Sequence, residues 1–479
     1  MHQATVSPPD RQVGEARRWL PLTVLLIPAA LTLLSVTSIN VALPSIRTGL
    51  DAGTVGQSLV LTVYALTFAL VLLPAGRLGD QYGHKKVFVA GVVIFTIASA
   101  WCALAPDITQ LVAGRALAGI GGGLAMTPVT ALIQLLYKGP ERARPFGIMG
   151  AVFGASSAAG PLLGGLLIQS GGDIGWRLVF LVNVPFGILA AALGANVLPA
   201  SQPRGVRGSD PVGLLLFTAG IVATMLPFSL GDGITPLNVV LLVVGLALLA
   251  LFAVVQRRRE RAEKFAVVPL RLFQQRALPI GVATTFLGFA GFTASFLMLA
   301  MLWQDALGHD ALSAGLLVMP FALGSVISAI NTQRLTQRFG IRIVTAGLTM
   351  ITAGLAAVGI LVLTVPAASL GFALMLVPLL VTGLGVGLYV GPNTNASFVQ
   401  TEGRDAGVAS ALVTTAQRCG TAVGIGLLSA LFTTLPGGPT NLHNQAIAAF
   451  VTAGFAAAAA LLMIATRRSS LAPGTQQTH

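Results

Sequence analysis

Two arginines stand inside long apolar runs of this chain: Arg115, between Ile108 and Leu136, and Arg418, between Ala406 and Thr434. A guanidinium keeps its charge at any physiological pH and carries five donors, so in an apolar medium it must find partners. Such a costly group is there for function or is paired. The alternative is to extend its head group to an interface, and Asp107 marks such an end only a few residues before Arg115. For both arginines the two readings stand side by side. All 15 Asp and Glu lie in loops or at the edges of apolar runs. Asp107 and Asp305 come nearest, but eight residues of helix put Asp107 about 12 Å from Arg115, too far for direct pairing. Cys102 and Cys419 show neither a CxxC pattern nor metal-ligand spacing. GxxxxGK[ST], HExxH and GxSxG are absent from the sequence, which argues against ATP-driven pumping and hydrolysis. The expectation is a protein that is not an enzyme, with no cofactor and no catalytic or metal residues.

The elements that must position these residues follow from composition. Of 479 residues, 55% are hydrophobic and 9% charged, with a mean hydropathy of +0.85, far from soluble globular composition. The net charge of +13 is scattered in short clusters between apolar runs, a topological pattern rather than a nucleic-acid surface. Fourteen runs are long enough to span a bilayer as helices: 19–43, 57–76, 87–105, 108–136, 143–168, 178–198, 211–230, 236–255, 278–303, 313–332, 343–363, 369–396, 406–434 and 445–466. The first is followed too quickly by another to be a cleaved signal. With both termini cytoplasmic, the inside segments hold 24 of the 28 Lys and Arg, and outside loops only Arg47 and Arg177. Trp19, Trp101, Trp176 and Trp303 all fall at span ends, where indoles favour the interface.

The chain also repeats itself. Arg77-Leu78-Gly79-Asp80-Gln81-Tyr82-Gly83 recurs as Arg334-Leu335-Thr336-Gln337-Arg338-Phe339-Gly340, and the rhythm Gly119, Gly121, Gly123, Pro128 recurs as Gly383, Gly385, Gly387, Pro392. The offsets nearly agree, so spans 1–6 and 9–14 read as homologous halves with two spans inserted. This divides the chain into a cytoplasmic tail 1–18, a six-helix half 19–198, an insert with cytoplasmic linkers 199–277, a second half 278–466 and a cytoplasmic tail 467–479.

The loop from Gly76 through Arg77, Asp80, Gly83 and His84 to Lys85 and Lys86 resembles the signature cytoplasmic loop of the major facilitator superfamily. Gly147 followed by Gly160-Pro161-Leu162-Leu163-Gly164-Gly165 is similar to the motif of its antiporters. Trp176-Arg177, Phe180, Asn183, Pro185 and Gly187, with Asn40-Val41-Ala42-Leu43-Pro44, Pro269-Leu270-Arg271-Leu272-Phe273 and Gly407-Val408-Ala409-Ser410, resemble the fourteen-span drug:proton antiporter branch. The resemblance implies an all-α polytopic membrane protein of the major facilitator fold with 14 transmembrane helices arranged 6+2+6. It also implies a gate in which Gly76, Asp80, Gly83, Lys85 and Lys86 latch the halves, against the plainer reading of a solvated turn. Gly147, Gly160, Pro161, Gly164 and Gly165 are either a pliable hinge or ordinary small-residue packing. Departures are Gln81 for an arginine, Ala118 for a glutamine three residues after Arg115, and Ser35 where the branch has a membrane aspartate. Serine does not titrate near neutral pH, which favours neutral or anionic substrates.

Ser35, Thr37, Asn40, Arg115, Gln134, Gln304, Asn393 and Gln417 are the expected substrate-binding or coupling residues, with helix-to-helix glue as the alternative for each uncharged one. The resemblance implies efflux of small amphipathic organic compounds, drugs or antibiotics, by alternating access with proton antiport. The rival is a facilitator or differently coupled carrier of neutral or anionic metabolites, and a receptor or scaffold without transport is the remote one. The expected partners are a small-molecule substrate, a proton and the lipid bilayer, without nucleic acid, in a monomer of the bacterial plasma (inner) membrane.

Overall fold

The computed structural model describes residues 15–52, 54–137, 139–199, 208, 210–230, 235–309, 311–401 and 405–470. The structured elements among them are all helical. They are α1 (Glu15–Gly49), α2 (Thr54–Tyr82), α3 (His84–Leu104), α4 (Ile108–Leu136), α5 (Ala143–Gly171), α6 (Gly175–Leu181), α7 (Asn183–Val197), α8 (Pro211–Leu230), α9 (Pro236–Arg261), α10 (Arg271–Gln274), α11 (Ala277–Met301), α12 (Ala311–Leu317), α13 (Met319–Phe339), α14 (Arg342–Thr364), α15 (Phe372–Ser397), α16 (Ala406–Thr434) and α17 (Leu442–Ser470). Among the described residues, twelve stretches are long and apolar enough to cross a membrane. Helices are required there because a bilayer offers the backbone no hydrogen-bond partners. Capping begins several of them: Asp107 accepts from Gln110 N at 2.8 Å, Asp210 from Gly213 N at 2.8 Å and Thr235 from Asn238 N at 3.2 Å.

The internal repeat reappears as packing. In α4, Gly119 and Gly123 lie against α2, at Tyr64, Thr67 and Phe68, while Gly121 between them lies against Phe95 and Gly91 of α3. In α15, Gly383 and Gly387 lie against Phe321, Ser325 and Ser328 of α13, while Gly385 lies against Gly347 and Ile351 of α14. Each central helix is wedged between two neighbours, and missing side chains on both faces let three backbones approach. Both signature stretches turn on a glycine in the left-handed region, Gly83 at φ 98° and Gly340 at φ 56°. The stretch expected as a loop from Gly76 is nevertheless helical through Tyr82, and Gly83 alone makes the turn before α3.

The pair α8 and α9 sits outside, with α8 packed on α2 of one bundle and α16 of the other. Gly245 lies under Thr224, Gly220 under Leu249 and Gly426 under Phe228, and the Phe217 and Phe252 rings meet at 5.3 Å. Val240, Val243 and Leu246 of α9 remain exposed, as a lipid-facing helix requires. The tryptophans at span ends differ in exposure. Trp101 is exposed, but Trp176 is buried beside Gly49, and Trp303 is buried with its Nε1 donating to Ser313 Oγ at 3.1 Å.

Candidate functional site

The first functional region is where the bundles meet, at the end carrying Gly83. Gly76 of α2 and Gly407 of α16 cross so closely that a Cβ on either would strike the other's carbonyl. Asp80 is almost fully buried, and its Oδ1 accepts from Gly407 N at 3.2 Å, within the first turn of α16. A carboxylate there meets free amides and the positive end of the helix dipole. It therefore caps the start of a helix in the opposite bundle, not the helix that follows it in sequence. His84 Nε2 stands 3.3 Å from the same oxygen, and the imidazole fits over Gly79, where any side chain would displace it. Thr130 and Ser410 share a hydrogen bond across the seam, and Ser410 also donates to Thr127 O at 2.7 Å. Arg142 donates to Phe398 O at 3.4 Å, and burial lowers the pKa of its guanidinium from the ordinary value.

The linker after α9 joins this closure. Arg77 donates from Nε to Val267 O at 2.6 Å and from Nη2 to Ala266 O at 2.5 Å, and stacks on Phe265 at 4.9 Å. Gln81 donates to Gly208 O at 3.1 Å, so the side chain replacing the usual arginine holds the other linker. Arg271 pairs with Asp405 at 2.9 Å, beside the start of α16. Asp210 is buried, accepts from Gln256 Nε2 at 2.8 Å and lies 3.4 Å from Arg259. Lys85 is part-buried and Lys86 exposed on α3.

The second region lies deep between the bundles. Arg115 is 1% exposed. It donates from Nε to Val60 O at 3.0 Å and from Nη1 to Ser35 Oγ at 3.1 Å, and it lies 4.0 Å over the Tyr64 ring. Snorkelling is therefore overturned for Arg115, which is satisfied inside by neutral partners. Hydrogen bonds to a charged group contribute about 1.5–3 kcal/mol each, and a desolvated cation–π contact about 2 kcal/mol. Together they offset an insertion cost of about 2.5–3.5 kcal/mol. Arg418 has far less support. It sits 4.0 Å over Phe68, its buried Nε has no hydrogen-bond partner, and it makes no ion pair among the described residues. Tyr64 and Phe68, one turn apart on α2, meet at a 42° tilt with ring centroids 5.9 Å apart and link the two cations. The buried Tyr64 OH and Thr415 Oγ1 likewise lack partners.

Other expected residues are dispersed. Thr37 donates to Leu33 O of its own helix at 3.0 Å and packs on Gly160 of α5, and Asn393 donates across to α11, to Thr285 Oγ1 at 2.9 Å and Gly281 O at 3.3 Å. Gln134 is buried 19 residues along α4 from Arg115, about 28 Å away. Gln304 is exposed on the π-helical turn Leu302–Ala306. Gln417 is buried next to Arg418, and the Asn40 side chain lies outside the described residues. In α5, Gly160 and Gly164 receive Thr37 and Ser38 of α1, and Gly147, Gly150 and Gly154 face α13 and α15. Gly165 faces open space, and Pro161 stands inside an unbroken helix, so the motif divides into packing and non-packing positions.

Repeated helical bundles, meeting through glycines at one end and enclosing a few polar groups in an apolar interior, define a polytopic membrane carrier of small solutes. The chain belongs to the Major Facilitator Superfamily, whose sequence profile matches residues 25–425. It is 33% identical over 426 residues to the "Probable actinorhodin transporter" of Streptomyces coelicolor, covering 87% of this chain and 73% of that one. It is also 33% identical over 433 residues to "Puromycin resistance protein pur8" of Streptomyces alboniger, covering 88% and 83%. Among solved structures, the proton:xylose symporter XylE matches with a TM-score of 0.67 at 16% identity, covering 94% of this chain and 96% of that one, a likeness of fold alone.

Proposed function

We propose that this chain exports small amphipathic organic compounds, drugs or antibiotics, by alternating access of two six-helix halves with proton antiport. The carrying observation is the closure at one end, where Asp80 of one bundle caps α16 of the other and Gly76 meets Gly407. The names of the transport and resistance relatives support the substrate range. The reading takes fourteen spans in a 6+2+6 order. It divides the stretch Ala143–Val197 at Gly172 into α5 and α6 with α7, and counts the 29-residue α16. The halves are 19–198 and 278–466, with the insert 199–277 between them. Both termini are cytoplasmic in a bacterial plasma membrane, so the observed closure is on the cytoplasmic side.

A second reading, export without proton antiport, is favoured by the group facing Arg115, which is the Ser35 hydroxyl rather than a carboxylate. Proteoliposomes loaded with substrate decide between the two. Antiport predicts substrate-driven proton movement and flux that follows an imposed pH gradient; flux indifferent to that gradient supports the second reading, and no flux sinks both.

A further inference from the structure

Among the described residues, Arg418 is a cation without a counterion. It is only partly exposed, it donates no hydrogen bond to any described residue, and its one strong contact is the Phe68 face. Arg115, over the neighbouring ring of the same pair, holds its charge with a hydroxyl, a carbonyl and a ring. The two arginines thus place two positive charges around Tyr64 and Phe68, and all 15 carboxylates of the chain lie outside the apolar interior of the spans. Buried ions are ordinarily paired, so an anion bound here has to arrive with the ligand. Tyr64 and Phe68 are themselves buried beneath the two guanidinium groups, so a ligand meets this charge at the partly exposed Arg418.

We infer that the interior between α2, α4 and α16 recognises an amphipathic anion, with the Arg418 guanidinium donating to its carboxylate, sulfonate or phenolate. The unpartnered Tyr64 OH and Thr415 Oγ1 supply further polar contacts to the same head group. Arg418 is the specificity-determining residue. Arg115, already occupied by Ser35 and Val60, sets the field around it. The inference deepens the exporter reading, on which it rests for the direction of movement but not for binding.

The test uses three probes on the purified full chain: 8-anilino-1-naphthalenesulfonate, N-phenyl-1-naphthylamine, which has the same rings without the sulfonate, and ethidium. Binding is measured by equilibrium dialysis in gluconate buffer, and flux in proteoliposomes. The expected result is binding of the sulfonate at least tenfold tighter than of ethidium. Arg418→Gln should weaken the sulfonate tenfold or more and the neutral amine less than twofold, and Arg418→Lys should recover most of the loss. Recovery with lysine separates a charge effect from failed folding. Equal or tighter binding of ethidium by the wild type overturns the inference, as does equal weakening of all three probes in Arg418→Gln. Competition by millimolar chloride would assign the site to an inorganic anion and overturn it too. Sulfonate binding without flux of any probe would keep the anion site and sink the exporter reading; ethidium flux without sulfonate binding would do the reverse.

Discussion

At Asp80 a single carboxylate performs a task usually left to a helix's own N-cap, since its partner amide belongs to a helix 327 residues away in sequence. Asparagine keeps the shape and can still accept that hydrogen bond, but loses the charge that favours the positive end of α16. Asp80→Asn is expected to lower flux about tenfold while leaving membrane insertion and yield unchanged; equal flux at equal expression would remove the charge from the latch. A second prediction concerns Ser35, whose hydroxyl accepts from Arg115. Ser35→Asp places a titratable carboxylate beside a guanidinium, so substrate-driven proton movement should rise or preference should turn toward cations. Arg115→Ala should abolish transport by either reading. A pH dye in proteoliposomes follows the proton movement of Ser35→Asp, and substrate flux checks the other outcomes.

At the scale of elements, α5 is the helix shared between bundles, and its glycines are not equivalent. Ser38 of α1 would lie about 3 Å from a Cβ on Gly164, whereas Gly165 has nothing within 4 Å. Gly164→Leu is therefore expected to lower flux at least tenfold and Gly165→Leu less than twofold, a contrast that the hydrophobicity of leucine cannot produce. Comparable losses in both would mean that leucine acts through the lipid face. The insert is the other element with a local consequence. Its linker is held by Arg77 from one bundle and delivers Arg271 to Asp405 at the head of α16. Arg271→Gln should speed hydrogen exchange of residues 262–275 and raise the rate of opening at this end. Unchanged exchange by mass spectrometry would make the pair an exposed contact of small worth.

For the molecule as a whole, alternating access requires the contacts at the Gly83 end to separate once per cycle. Thr130 and Ser410 touch across that seam, so Thr130→Cys with Ser410→Cys, in a chain free of its own two cysteines, is expected to cross-link under mild oxidation. Flux should fall below about one tenth and return on reduction. Full flux in the cross-linked protein would show that this end stays shut during transport.

Much of the architecture was legible along the chain because a bilayer imposes it: long apolar helices, basic segments between them, and glycines wherever backbones must approach. The two repeats were equally legible, since Gly119, Gly121 and Gly123 and their counterparts Gly383, Gly385 and Gly387 keep the same spacing for the same wedge. The sequence also marked Arg115, Ser35 and Asp80 as unusual. What it left open were partners distant along the chain. That Asp80 caps α16, that Ser35 meets Arg115, that Phe68 lies under Arg418 and that Arg77 holds the α9 linker depend on which helices become neighbours. Thr37, Gln134, Gln304 and Asn393 looked alike as polar residues in apolar runs, yet rotation about each helix axis and depth along it sent them to different places. Composition and period set what a helix is; only the packing of one helix against another decides which of its faces looks inward.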